Sequence, residues 1–344
     1  MAITIIGAGA IGGVIGAYLI KNGEEVVFVD RDTAHVEAMN QNGLTIQMKD
    51  SSFTVKAPAY TVDEFFKTKQ SVDTVFLAVK AQHTKEAIQP FEKLMHKDSF
   101  VVSFQNGLCE NIIASIVGKS RTVGCFVNLF ADYMSPGKIE YGGVGSLYIG
   151  EMDGSESDRV NDLRDRLQCW GKAKATQKIF GYLWSKLAYG SILTATALTN
   201  KEIADFFEER EFHPLLNAIG TEVLQVAEKQ GITPEPFDNW TPGLLYPNKK
   251  DIELENSYFE IARLLRGYTK TRTGIWRDLA VRKRKTEVLD QLGPVISIGE
   301  KLGFTMPLTR SIVSMIQEIE EGQREMSIEN INELKDIIKE SSKL

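Results

Sequence analysis

The first thirty residues constrain this chain more than anything after them. They read as a short apolar strand, a glycine-rich turn, an uncharged helix and a second strand that closes on an acid. Ala2-Ile3-Thr4-Ile5-Ile6 is the first strand, Gly7-Ala8-Gly9-Ala10-Ile11-Gly12-Gly13 the turn, and Val26-Val27-Phe28-Val29-Asp30 the second strand. A turn of this form holds a pyrophosphate, with Gly7 permitting the sharp bend, Gly9 letting backbone approach phosphate, and Gly12 letting the helix pack close to the strand. The helix N-terminus adds unpaired N–H groups and the positive end of its dipole. Asp30 follows Gly12 by 18 residues, about where a carboxylate meets a ribose hydroxyl. Gly7, Ala8, Gly9, Ala10, Ile11, Gly12 and Asp30 are therefore the expected dinucleotide-binding residues.

A blander reading exists for the same stretch. Residues 2–20 carry no charge, so hydropathy alone allows a membrane span with a Gly12-x-x-x-Gly16 packing face. Thr4 and five glycines dilute that run, and a charged segment follows at once. A signal peptide would need a basic start that is missing here. The expectation is a cytoplasmic protein with no membrane partner. At 344 residues the chain exceeds what one core usually serves, which predicts two domains. A net charge of -6 argues against a nucleic-acid partner. Cys109, Cys125 and Cys169 share no C-x-x-C spacing, and the histidines at 35, 83, 96 and 213 form no metal signature, so no metal is expected. Of the histidines only His83 lies near a candidate site residue, and it is expected at the surface.

Further along, His35–Asn42 predicts a helix closed by Gly43, Leu44–Met48 and Phe53–Ala57 predict strands, and Val62–Lys67 a short helix. Thr74–Val79 and Phe100–Phe104 are nearly all apolar, as expected of strands buried on both faces of a parallel sheet, with a helical stretch to about Met95 between them. The two strands end at Lys80 and Gln105-Asn106-Gly107. Ligands of open α/β sheets sit beyond the carboxyl ends of strands, so the glycine turn, Asp30, Lys80 and Asn106 should gather on one edge. Val123–Leu129, Gly137–Tyr141 and Ser146–Gly150 alternate like antiparallel strands, and a helix at Val160–Trp170 with a strand at Lys174–Ile179 should complete the sheet. Patterning then turns helical, over Leu183–Leu198, His213–Gln230, Tyr258–Tyr268, Thr286–Leu302 and Thr309–Glu321. The predicted architecture is an α/β Rossmann domain over residues 1–179 followed by an all-helical substrate and dimerisation domain over 180–344. Residues 234–250, with four prolines, read as an irregular insertion that overhangs the site. The tail from Ser327 puts Ile328, Ile331, Leu334 and Ile338 on one face, to dock a last helix on its own protein or to form a dimer contact.

Lysine at the end of a buried strand needs a partner or water, and Asn106 one strand later can both donate to and accept from a ligand. Trp184-Ser185-Lys186-Leu187-Ala188 opens the helical half, and Lys285-Thr286-Glu287 follows the basic run Arg282-Lys283-Arg284, which on its own reads as a solvated face. These segments, with the glycine turn, Val79-Lys80-Ala81, Gln105-Asn106-Gly107-Leu108 and Pro136–Glu151, are ordered and spaced as in ketopantoate reductases, also called 2-dehydropantoate 2-reductases. The chain resembles that family over almost its whole length. The resemblance implies a Rossmann domain followed by a helical domain, with a 2-oxo acid bound in the cleft and reduced by hydride from NADPH. It implies Lys186 as catalytic acid, Glu287 as the carboxylate that orients substrate, and Lys80 and Asn106 lining nicotinamide and substrate.

Two departures stand out. The family usually carries asparagine four and eight residues after the catalytic lysine, where this chain has Gly190 and Thr194. It also places a serine upstream of the Lys285-Thr286-Glu287 match, where Gly274 and Ile275 stand beside Thr273. Substrate contacts are thus expected to differ, and the expected substrate is ketopantoate or a related 2-oxo acid. For the cofactor, Asp30 favours NAD(H) whereas Arg31 and the resemblance favour NADP(H). A flavoprotein would also use the glycine turn, and a non-catalytic NADP(H)-binding redox sensor is the other alternative. The flavoprotein reading has little to explain Lys186 and Glu287.

Overall fold

The computed structural model describes residues 2–143, 145–267 and 271–341. Its chain divides into two compact units, residues 1–179 and 180–344. In chain order the first contains β1 (Ile3–Ile6), α1 (Ala10–Lys21), β2 (Val26–Val29), α2 (Thr33–Asn42), β3 (Leu44–Gln47), β4 (Ser52–Val55), β5 (Ala59–Tyr60), α3 (Val62–Thr68), β6 (Val72–Leu77), α4 (Thr84–Ile88), β7 (Met95–Ser103), α5 (Cys109–Val117), β8 (Thr122–Val127), β9 (Phe130–Ser135), β10 (Lys138–Gly143), β11 (Leu147–Glu151), α6 (Asp158–Leu167) and β12 (Ala173–Ala175). The main sheet runs β12-β11-β8-β7-β6-β1-β2-β5. All its neighbouring strands are parallel except β8 and β11.

Both faces of that sheet are covered, which is why its strands are apolar without alternation. Ile5, Phe76 and Val102 pack into one apolar cluster, while Ile6, Val75, Leu77 and Val101 pack into another. The register aligns the carboxyl ends of these strands. Ile6 lies opposite both Val29 and Leu77, and Leu77 lies opposite Ser103. Gly7, Asp30 and Ala78 therefore leave the sheet at one level, and Lys80 and Asn106 each stand three residues beyond a matched pair.

Several sequence expectations need correction. Val123–Leu129 does not alternate between core and solvent, because all six residues of β8 are buried; it joins the main sheet antiparallel to β11, as expected, and parallel to β7. Gly137–Tyr141 belongs instead to a second sheet, ordered β4-β3-β10-β9. Most of the stretch between β6 and β7 is 3-10 helix, with α-helix only at α4, since Pro90 lacks the N–H that regular helix requires. The strand expected at Lys174–Ile179 is the shorter β12, and Ile179 already starts a helix.

The second unit carries α7 (Ile179–Thr196), α8 (Ile203–Glu208), α9 (His213–Lys229), α10 (Asp251–Arg266), α11 (Gly274–Ala280), α12 (Val288–Lys301), α13 (Pro307–Glu320) and α14 (Ile328–Ser341). The helix expected over Tyr258–Tyr268 is α10, and Tyr268 itself lies outside the described residues. Residues 234–250 are irregular and strapped to α7: the Glu235 N–H donates to the Gly181 carbonyl at 3.1 Å, and Phe237 and Trp240 close a reciprocal backbone pair at 3.1 and 2.8 Å. Both aromatics are buried. The tail docks on its own unit, with Ile331 and Leu334 fully buried and the Asn330 amide donating to the Leu198 carbonyl at 2.9 Å. No helix among the described residues is long and apolar enough to cross a membrane.

Candidate functional site

At the carboxyl edge of the first unit the glycine turn is held by close packing. Gly7 has φ +96°, and a Cβ there would meet the Val79 nitrogen at 2.8 Å. A Cβ on Gly12 would meet the Gly7 oxygen at 2.1 Å and the Ala78 methyl at 2.9 Å. Gly9, the residue that caps α1, faces open space, and a Cβ there would touch nothing within 4 Å. This is the geometry a phosphate needs: an uncrowded backbone at a helix N-terminus. The turn thus leaves room at Gly9 for the pyrophosphate of a dinucleotide.

Asp30 is fixed beside it. Its Oδ2 accepts from the Ala8 N–H at 2.7 Å and its Oδ1 from the Asp32 N–H at 2.9 Å. Asp32 caps α2 by accepting from the His35 N–H at 3.2 Å, and its other oxygen accepts from the Tyr133 hydroxyl at 3.2 Å. Burial and then the Asp32 and Asp30 charges push the Tyr133 phenol up to about 12. Arg31, between the two carboxylates, is exposed.

His35 had no functional signal in the sequence, and yet it holds the turn. The ring is buried, its Nδ1 accepts from the Gly137 N–H at 2.9 Å, and its Nε2 lies 2.9 Å from the Ala8 carbonyl. Since Nδ1 accepts, Nε2 carries the proton and donates to Ala8. The imidazole thus joins the glycine turn to the second sheet, a partnership 102 residues apart in the chain. Replacing His35 by Leu strands a buried carbonyl and a buried N–H, and is expected to cost about 2 kcal/mol. Dinucleotide affinity should fall about tenfold, as read by thermal unfolding and by cofactor fluorescence titration.

Lys80 and Asn106 stand at the ends of adjacent strands, both partly exposed. Gln105, buried between them, donates from Nε2 to the Val79 carbonyl and to the Thr84 hydroxyl, each at 2.9 Å. It ties the two strand-end loops together, a role the sequence did not reveal. His83, expected at the surface, is partly exposed and faces Glu86 at 3.6 Å.

In the second unit Lys186 lies on α7, on the stripe that keeps partial exposure: Tyr182, Lys186, Tyr189, Gly190 and Leu193. Residues 183–185, 187–188, 191–192 and 194–198 are buried. Glu287, half-buried, stands at the N-cap position of α12. It is positioned through its neighbour: the Thr286 N–H and hydroxyl donate to Glu320 Oε1 at 2.7 and 2.6 Å. The basic run before it is exposed, and two of its members are also paired. Arg282 and Arg284 both bond the buried carboxylate of Asp278, at 3.0 and 2.9 Å, anchoring the loop that leads to Glu287. Thr273, beside the departed family serine, caps α11 by accepting from the Trp276 N–H at 3.0 Å.

Comparison with known proteins finds relatives that match both halves of the chain. The family model described as "Ketopantoate reductase PanE/ApbA" matches residues 3–154, and "Ketopantoate reductase PanE/ApbA C terminal" matches residues 178–320. The 2-dehydropantoate 2-reductase of Archaeoglobus fulgidus is 25% identical over 324 residues, covering 93% of this chain and 98% of its own. That of Pyrococcus abyssi is 27% identical over 338 residues, covering 94% and 100%. Among solved structures, D-mandelate dehydrogenase with NADH and anilino(oxo)acetate aligns with a TM-score of 0.80 at 21% identity, covering 94% of this chain and 99% of that one. A PanE/ApbA family ketopantoate reductase from Ralstonia eutropha aligns with a TM-score of 0.76 at 22% identity, with the same coverages. With both halves of the chain matched in order and nearly end to end, this protein belongs to the ketopantoate reductase family of oxidoreductases.

Proposed function

We propose that the protein reduces a 2-oxo acid to the 2-hydroxy acid, with a nicotinamide dinucleotide as hydride donor and Lys186 as general acid. The observation that carries this reading is the place of Lys186, on a helix face that it shares with two tyrosines, a glycine and a leucine. The dinucleotide supplies a hydride to C2 of the oxo acid. Lys186 gives a proton to the carbonyl oxygen as charge builds there, and its positive charge stabilises that oxygen before transfer. Glu287 accepts a hydrogen bond from a substrate hydroxyl, Gly190 and Thr194 border the substrate on α7, and Lys80 and Asn106 line nicotinamide and substrate. One solved relative, from Staphylococcus aureus, is described as dimeric, and we carry a homodimer over as the assembly. Incubating the purified protein with a panel of 2-oxo acids and following loss of reduced-cofactor absorbance tests the proposal. Turnover of no member of the panel would overturn it and favour a non-catalytic sensor of NADP(H).

The family resemblance carries NADPH, and Arg31 can bind its 2′-phosphate. Charge at the end of β2 supports NADH as the better donor. A pair of unit charges about 5 Å apart in water-like surroundings interacts by roughly 1 kcal/mol. Asp30 and Asp32 against Arg31 leave one net negative charge facing a near-dianionic phosphate, a net repulsion of about 1–2 kcal/mol. Asp30 also offers its carboxylate to the free ribose hydroxyls of NADH. NADH should therefore bind about tenfold more tightly than NADPH, and Asp30→Asn should bring the two dissociation constants together, as measured by fluorescence titration.

A further inference from the structure

In Lys285-Thr286-Glu287 the fold grips the middle residue. Thr286 is buried, so its N–H and hydroxyl both need partners. Both donate to one oxygen, Oε1 of Glu320, at 2.7 and 2.6 Å. The same hydroxyl accepts from the Val288 N–H at 3.2 Å and so satisfies one of the donors that open α12. Glu287 stands between these bonds, at the N-cap position, and its own carboxylate makes no capping bond to the helix. The start of α12 is therefore placed from outside, by a carboxylate 34 residues beyond Thr286. Glu320 is itself well anchored, because it closes α13, whose Leu308, Ile312, Val313, Met315 and Ile316 are buried. At the opposite end of that helix, Glu222 of α9 accepts from the Leu308 and Thr309 N–H groups, both at 2.8 Å, and from the Thr309 hydroxyl at 2.7 Å. Helix α13 is thus a strut, fixed at its N-terminus by one carboxylate and fixing α12 through another. An acid in the last turn of a helix faces the negative end of the dipole, so Glu320 gains its stabilisation from Thr286 rather than from α13.

We propose that Glu320 is a positioning residue of the reductase: by holding Thr286 it sets where the Glu287 carboxylate meets the substrate hydroxyl. The inference rests on the reductase reading above and on the role given there to Glu287. A hydrogen bond to a charged acceptor depends steeply on distance and angle, and a misplaced acceptor forfeits most of it. Loss of Glu320 should therefore weaken recognition of a hydroxylated 2-oxo acid by about tenfold to 100-fold. An acid without that hydroxyl should not respond.

Ketopantoate and 3,3-dimethyl-2-oxobutanoate, which differ only by one hydroxyl, make the test. In Glu320→Ala the KM for ketopantoate should rise about tenfold to 100-fold with kcat little changed, the signature of a contact made equally in ground and transition states. Both constants for 3,3-dimethyl-2-oxobutanoate should keep their wild-type values. Glu320→Gln, whose amide oxygen still accepts from Thr286, should restore the ketopantoate KM. In a Glu287→Ala background Glu320→Ala should cost nothing further, because the two residues act as one. Alanine favours helix, so Glu320→Ala should fold, and its unfolding temperature checks this. Thr286→Val, which lacks only the hydroxyl, is the second variant and should show the same selective rise. An unchanged ketopantoate KM, an equal loss on both acids, a Gln variant as impaired as the Ala one, or a loss that persists without Glu287 would each overturn the inference and leave the reductase reading standing. A wild-type protein that reduces no 2-oxo acid would overturn both.

Discussion

Lys186→Ala should lower kcat by about 10²- to 10⁴-fold while leaving the dissociation constant of NADH unchanged. The magnitude is that of a positioned general acid, to which the lost positive charge beside the forming alkoxide adds. Cofactor affinity should hold because the phosphate cradle and Asp30 belong to the first unit, whereas Lys186 lies on α7. Folding should hold as well, since the side chain sits on the partly exposed stripe of that helix. Lys186→Arg separates the two contributions of the lysine. A guanidinium keeps the charge but does not release a proton in this pH range, so part of the rate should return only if electrostatic stabilisation matters independently of proton transfer. Single-turnover measurement of cofactor oxidation reads the chemical step directly. A variant Lys186→Ala that turns over at the wild-type rate would remove the lysine from the mechanism.

How much of this was legible in the sequence depends on how far apart the interacting residues are. The glycine turn, the buried strands ending at Lys80 and Asn106, and the change to helical patterning are local signals, written in spacing and apolar runs. They placed the fold class and the strand ends that carry Lys80 and Asn106. The fixtures that hold those residues are long-range. His35 meets Gly137 across 102 residues, Tyr133 meets Asp32 across 101, and Glu320 meets Thr286 across 34. Nothing about an isolated histidine, tyrosine or glutamate announces such a partner. The second sheet was missed for a similar reason: β10 pairs in parallel with β3, almost a hundred residues earlier, and local alternation cannot tell which sheet a strand will join. The ion pairs made by the exposed basic run at 282–284 were not foreseen because their partner, Asp278, looks like any other acid until it is buried.

The glycine turn yields the second large effect, through a contrast between two of its residues. Gly12→Ala drives a Cβ to within 2.1 Å of the Gly7 oxygen and 2.9 Å of the Ala78 methyl, both on or attached to rigid backbone. The helix must move away from the strand, at a cost of about 1–3 kcal/mol in stability. A displacement near 1 Å in a group that positions phosphate costs on the order of 100-fold, so NADH affinity should fall by about that factor. Gly9→Ala separates binding from folding. Its Cβ meets no protein atom within 4 Å, and alanine for glycine at this N-cap costs only about 0.5 kcal/mol. That methyl instead projects where the pyrophosphate must approach. Gly9→Ala should therefore unfold at nearly the wild-type temperature without cofactor yet show little of the rise that saturating NADH gives the wild type. Gly12→Ala should lose both. Thermal unfolding of the three proteins, with and without NADH, distinguishes these outcomes. An undiminished NADH-dependent rise in Gly9→Ala would mean that the dinucleotide does not cross this turn.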